Sequence, residues 1–74
     1  MYEQFKAILV DELNVDPEII TLEAELTGDL GINSLELADL VLSCEDKLGV
    51  TIEDDQLSKF ITVGDVVNYL NTLN

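Results

Sequence analysis

The sequence predicts an all-α fold: a small bundle of three main helices plus one short helix, with a long first loop. Three observations predict it. Apolar residues recur at three- and four-residue spacing in three separate stretches, the pattern of helices with one buried face. The one β-like run, "GVTI", is too short to make a convincing strand. The chain has 74 residues, room for one small core and not for two.

The first helix spans Tyr2 to about Leu13. Phe5, Ile8, Leu9 and Leu13 share its inner face, with Asp11 and Glu12 on the other side. It stops near "NVDPE", where Asp16 is placed to cap a further turn and Pro17 suits its first position. A polar loop follows. It carries Ile19, Ile20, Leu22 and Leu26, which are expected to tuck onto the core, and Gly28 and Gly31 punctuate its end. The second helix runs from about Ser34 to Leu48. Asn33 and Glu36 have the spacing of a capping box, and Gly49 follows as the stop. A short helical turn falls around Asp54 to Lys59. The last helix begins at Thr62, whose hydroxyl can cap while Asp65 sits three positions on, and it carries Val63, Val66, Val67, Leu70 and Leu73. Residues 1–74 read as a single domain.

An apolar content of 47% argues for a folded globule rather than a disordered acidic tail. The lone cysteine, Cys44, has no partner for an internal disulfide, and there is no Cys/His cluster for a structural zinc. Sixteen acids stand against three lysines, with no arginine or histidine, for a net charge of -13. The charge argues strongly against nucleic acid as a ligand, because neutralising phosphates needs a basic face. An anionic membrane surface is disfavoured for the same reason. The natural partner is a protein with a positive patch, steered in by charge. No segment reaches transmembrane length, and the amphipathic, acidic start "MYEQFKAILVDEL" lacks the basic region of a signal peptide. The expectation is a cytoplasmic monomer.

On a helical wheel of roughly 100° per residue, the second helix has two apolar stripes. Leu37, Leu40, Val41, Cys44 and Leu48 form the core face. Leu35, Ala38 and Leu42 fall almost opposite, with Asp39 and Asp46 on one flank, Ser34 and Glu45 on the other, and Glu36 further round. The second stripe either lies under the long loop or meets a partner. In the second reading Leu35, Ala38 and Leu42 supply the desolvated contact, while Asp39, Glu45 and Asp46 set orientation and on-rate.

Ser34 stands where "GDLGI" turns into this helix. Without histidine a Ser-His-Asp arrangement is impossible, and Lys47 is more than three turns along the same helix. Composition leaves a Ser-Lys pair open, but Lys6, Lys47 and Lys59 form no motif near Ser34, which weighs against a catalytic nucleophile. An isolated Asn-Ser pair is most often an ordinary helix start. With Asn33 as the cap, however, Ser34 is left at the first helical position with its hydroxyl outward. The free N–H groups of the first turn favour a phosphate there. Such a setting suits a serine that another enzyme modifies.

The stretch "GDLGINSLELADLVLSCEDKLGVTIEDDQL" resembles the core of the acyl carrier proteins. The matching features are Asp29, Leu30-Gly31, Ser34-Leu35, the acidic pair Glu45-Asp46 and the hydrophobic Leu48. "FITVGDVVNYL" is similar to the family's closing segment, and the likeness covers essentially the whole chain. The resemblance implies a carrier and not an enzyme. Ser34 would bear 4′-phosphopantetheine, installed by a separate holo-synthase (a phosphopantetheinyl transferase) from CoA with Mg²⁺. The arm's thiol would hold acyl chains as thioesters, and the apolar interior between the helices would shelter them. Partners would be the basic patches of fatty acid or polyketide synthesis enzymes, meeting Leu35, Glu36, Ala38, Asp39, Leu42, Glu45 and Asp46. Freestanding fatty acid synthesis is the leading pathway, with a discrete carrier for polyketide, nonribosomal peptide or other specialised acyl groups as the close alternative. One position departs from the family, which usually has aspartate before the serine where this chain has Asn33; asparagine caps equally well. Leu48 stands where phenylalanine is common.

Two other classes fit worse. An EF-hand loop starting at Asp29 fails, since its sixth position is Ser34 and its twelfth Leu40, where glycine and glutamate belong. A plain acidic interaction module would carry no prosthetic group.

Overall fold

The computed structural model describes residues 1–73. Its elements are α1 (Tyr2–Leu13), a single 3₁₀ turn (Pro17–Ile19), α2 (Ser34–Leu48), a 3₁₀ helix (Asp54–Lys59) and α3 (Val63–Thr72). Three of them begin at a side-chain cap: the 3₁₀ turn at Asp16, α2 at Asn33 and α3 at Thr62. The Asp16 carboxylate accepts Glu18 N–H at 2.9 Å, ahead of Pro17. Thr62 Oγ1 accepts Asp65 N–H at 3.1 Å while Asp65 Oδ2 takes Thr62 N–H at 3.0 Å, a complete capping box on α3. Gly49 closes α2 in the left-handed region with φ 66. Asn14 does the same for α1 with φ 59, a cap asparagine tolerates because its short polar side chain relieves the left-handed penalty.

The helices bury one common core. Phe5 and Leu9 from α1, Leu40 and Cys44 from α2, and Val63 and Leu70 from α3 meet there, together with Leu26 from the loop. α1 packs chiefly on α2 and less on α3. The 3₁₀ helix buries none of its own residues and is held by the buried flanks Ile52 and Phe60.

The long first loop is pinned to the start of α3. Leu26 N–H donates to Ile61 O at 2.9 Å, Val63 N–H to Ala24 O at 3.0 Å, and Gly64 N–H to Leu22 O at 2.8 Å. The result is one antiparallel bridge, Glu25 to Thr62, the only β-pairing among the described residues. It also occupies two N–H groups that the first turn of α3 would otherwise leave free. Tyr2 Oη ties α1 to the same loop through Ile20 O at 3.0 Å.

This pinning corrects one expectation. Ile20 and Leu26 are buried as expected, but Ile19 and Leu22 remain 46% and 48% exposed. Ala24 fills the inward position instead, because the bond from Gly64 fixes Leu22 with its carbonyl toward α3. Gly64 has no room for more. A Cβ there would lie 3.0 Å from Leu22 O, a backbone atom that cannot swing aside. Alanine gains at most about 1 kcal/mol of helix propensity, whereas overpacking costs about 1–3 kcal/mol. Gly64→Ala is therefore expected to lower stability by about 1 kcal/mol, seen as an earlier urea midpoint; a later midpoint would show that the loop yields.

Candidate functional site

The end of the loop delivers Asn33 to the head of α2. Asn33 is extended, with φ -87 and ψ 176. Its Oδ1 accepts Glu36 N–H at 2.8 Å, and Glu36 Oε1 accepts Asn33 N–H at 3.1 Å. The side chains of Asn33 and Glu36 are thereby committed to the cap. Ser34, the first residue of α2, is exposed, and its hydroxyl is not needed to start the helix.

The chain has no histidine to activate it, and among the described residues no group of three or more His, Cys, Asp or Glu side chains is placed to hold a metal. Lys47 lies 13 residues along α2, about 20 Å at helical rise. The Lys6 ammonium sits 5.9 Å from the Tyr2 ring centroid on α1, and Lys59 ends the 3₁₀ helix. Ser34 has no Ser-His-Asp partners. It is presented to whatever comes from outside.

The second apolar stripe of α2 is uncovered. Leu35 is 80% and Leu42 62% exposed, and Ala38, Asp39 and Asp46 are exposed with them. The loop does not lie over this face. Two acids on the helix are differently placed. Glu36 is half-buried in the cap, and half-buried Glu45 has its Oε2 on Ile52 N–H at 2.8 Å, where it holds the turn after α2. Their carboxylates have internal duties that Asp39 and Asp46 lack. The Ile52 contact was not legible in the sequence, because it joins residues across the Gly49 turn.

On the core side, Leu40 and Cys44 are fully buried, while Leu37, Val41 and Leu48 are half-buried. Among the described residues no open cavity lies between the helices. Burial pushes the Cys44 thiol up from 9.0 to about 12, with the Glu45 charge adding to the shift. The thiolate that reacts is thus suppressed. A disulfide reagent at pH 8 should label the folded chain far more slowly than the urea-unfolded one; equal rates would place the thiol at the surface. The unfolded chain loses this proton near pH 9 and the folded chain only near 12. The unfolded state binds fewer protons in that window, so this thiol's contribution to stability is intact below pH 9 and lost as pH rises from 9 to 12.

A family model described as the phosphopantetheine attachment site matches residues 3–70. The chain is 43% identical over 70 residues to an acyl carrier protein of Helicobacter acinonychis, covering 95% of this chain and 90% of that one. It is 48% identical over 71 residues to one of Petrotoga mobilis, covering 96% and 84%. It is 44% identical over 70 residues to one of Helicobacter pylori, covering 95% and 90%.

The chain belongs to the acyl carrier protein family.

Its members are carriers and not catalysts, and their prosthetic group is 4′-phosphopantetheine. The residues present fit that group. An exposed serine hydroxyl spared from capping stands at the N-terminus of a 15-residue helix, whose first-turn N–H groups favour a phosphodiester. No helix among the described residues is long and apolar enough to cross a membrane.

Proposed function

We propose that this chain, acting over residues 1–74 as one carrier domain, holds acyl groups on a 4′-phosphopantetheine arm attached to Ser34. It hands them between the enzymes of fatty acid synthesis, as a cytoplasmic monomer. The observation that carries this reading is the division of labour at the head of α2: Asn33 takes the cap and Ser34 stands free beside an uncovered apolar strip.

In the attachment reaction, Ser34 Oγ forms a new bond to the phosphorus nearer the pantetheine of CoA. The pyrophosphate bond breaks, adenosine 3′,5′-bisphosphate leaves with its electron pair, and the serine proton passes to a base of the holo-synthase. Once bound, the arm supplies a thiol on which acyl groups ride as thioesters. The protein's part is to hold, orient and be recognised. Asn33 in place of the usual aspartate keeps the cap geometry and removes one charge beside the attachment point.

Docking rests on Leu35, Ala38 and Leu42 as the desolvated contact, with Asp39 and Asp46 as free acids facing the partner's lysines and arginines. Glu36 and Glu45 border this strip while serving the cap and the turn. The reading is tested by incubating the purified chain with CoA, Mg²⁺ and a phosphopantetheinyl transferase and following intact mass. A gain equal to one arm supports it; failure with several transferases refutes it. Asp39→Lys and Asp46→Lys are each expected to slow arm addition roughly fivefold at low salt, with the gap closing as salt screens the charges. Unimpaired rates in both would move the docking face off this strip.

A further inference from the structure

We infer that Asp29 is a positioning residue for Ser34, acting through the backbone and not as a docking charge; this rests on the carrier reading above. The Asp29 carboxylate is turned inward along the chain. Its Oδ2 accepts Glu25 N–H at 2.7 Å, while Asp29 N–H donates back to Glu25 O at 2.9 Å. Leu30 N–H shares that same oxygen at 3.0 Å. One carboxylate thus closes a ring from Glu25 to Asp29, in the way the N3 acid of a capping box reaches back to the N–H of the cap residue.

The ring joins two parts of the molecule that matter for Ser34. On one side, Glu25 forms the bridge to Thr62, and its neighbour Leu26 is bonded to Ile61 O, so the ring is anchored on the start of α3. On the other side the chain leaves the ring through a left-handed Gly31, with φ 70, whose N–H donates to Thr27 O at 3.1 Å. Ile32 N–H then returns to Leu26 O at 2.9 Å, and the Ile32 side chain is buried. Asn33 and Ser34 follow directly. The attachment serine is therefore held from both sides, by the capping box of α2 and by this ring, and the ring is locked by Asp29.

A carboxylate that serves as a local acceptor and one that serves as a docking charge respond differently to the same pair of substitutions. Asparagine keeps an oxygen able to accept Glu25 N–H and removes the charge, whereas alanine removes both. Small displacements of a reacting atom lower turnover, while lost docking contacts raise KM.

The test is steady-state arm addition to the full-length apo chain by a phosphopantetheinyl transferase, with the carrier as the varied substrate. Asp29→Ala is expected to lower kcat about tenfold with KM changed less than about twofold, and Asp29→Asn to recover kcat to within about threefold of wild type. Its Glu25 amide proton should keep a hydrogen-bonded chemical shift in Asp29→Asn and lose it in Asp29→Ala. Equal impairment of both variants through KM overturns the inference and makes Asp29 a docking charge. Wild-type kinetics in both overturns it by showing that the ring needs no lock. Should Asp29→Ala fail to fold, Asp29→Asn decides alone: near-wild-type kcat and KM support the inference, and a raised KM overturns it. If transferases leave the wild type unmodified, the carrier reading fails, and the Glu25 and Ser34 amide shifts of Asp29→Asn still read positioning: unchanged shifts support it and displaced ones overturn it.

Discussion

Ser34→Ala will gain no mass when incubated with CoA and a phosphopantetheinyl transferase, while the unsubstituted chain gains one arm. The effect is all-or-none because the proposed attachment makes its new bond to Ser34 Oγ, and alanine has no oxygen to offer. The fold should be untouched. Ser34 is exposed, alanine is the best helix former, and the cap of α2 belongs to Asn33 and Glu36. Stability is expected to stay within about 0.5 kcal/mol of wild type, the ordinary range for an exposed site. A folded Ser34→Ala that still accepts the arm would move the attachment elsewhere, and Ser43 and Ser58 are the other serines in the chain. Ser43 is the weaker of these, since its hydroxyl already donates to Glu12 Oε1 at 2.7 Å across α1 and α2.

Phe5→Ala should come close to unfolding the chain. Phe5 is fully buried where α1 meets the common core, alongside Leu9, Leu40 and Leu70. Replacing a buried phenylalanine by alanine typically costs about 3–5 kcal/mol, partly for lost transfer free energy and partly for the cavity. A chain of 74 residues has about 4–11 kcal/mol in total at typical stability per residue. The loss is thus about a quarter of the whole or more, and a single cysteine leaves no internal disulfide to compensate. Urea unfolding should show a much lower midpoint with an unchanged slope. Glu3→Ala, two positions earlier and exposed, should move the midpoint little. A small shift in Phe5→Ala would mean that the core around α1 repacks.

Much of the architecture was legible because it is governed by local rules. The three helices start where Asn33, Thr62 and the opening residues allow, and end at Leu13, Leu48 and near the C-terminus. Caps and periodic apolar faces depend on neighbours within a few residues, and those are visible in a linear sequence. The two-stripe pattern of α2 was legible for the same reason, but it left two readings open. Only the packed chain, with Leu35 and Leu42 in the open, distinguishes a strip beneath the loop from a bare one.

The loop was the least legible part. Four aliphatic residues there invited a single interpretation, yet Ile20 and Leu26 are buried while Ile19 and Leu22 are not. What sorts them is backbone pairing with Ile61, Val63 and Gly64, some 35 to 42 residues away in sequence. Loop residues have no fixed period from which an inward face can be read.

By itself, then, the sequence determined the all-helical class, the capped head of α2, the absence of a histidine to activate Ser34, and the strong net acidity. Each follows from residue identity and short-range spacing. The tertiary structure alone decided which stripe of α2 stays bare, that Glu45 serves the turn at Ile52, and that Asp29 points back to Glu25. Those outcomes depend on where a carboxylate or a side chain ends up after distant segments meet, and the free energy that fixes them exists only once the core has closed.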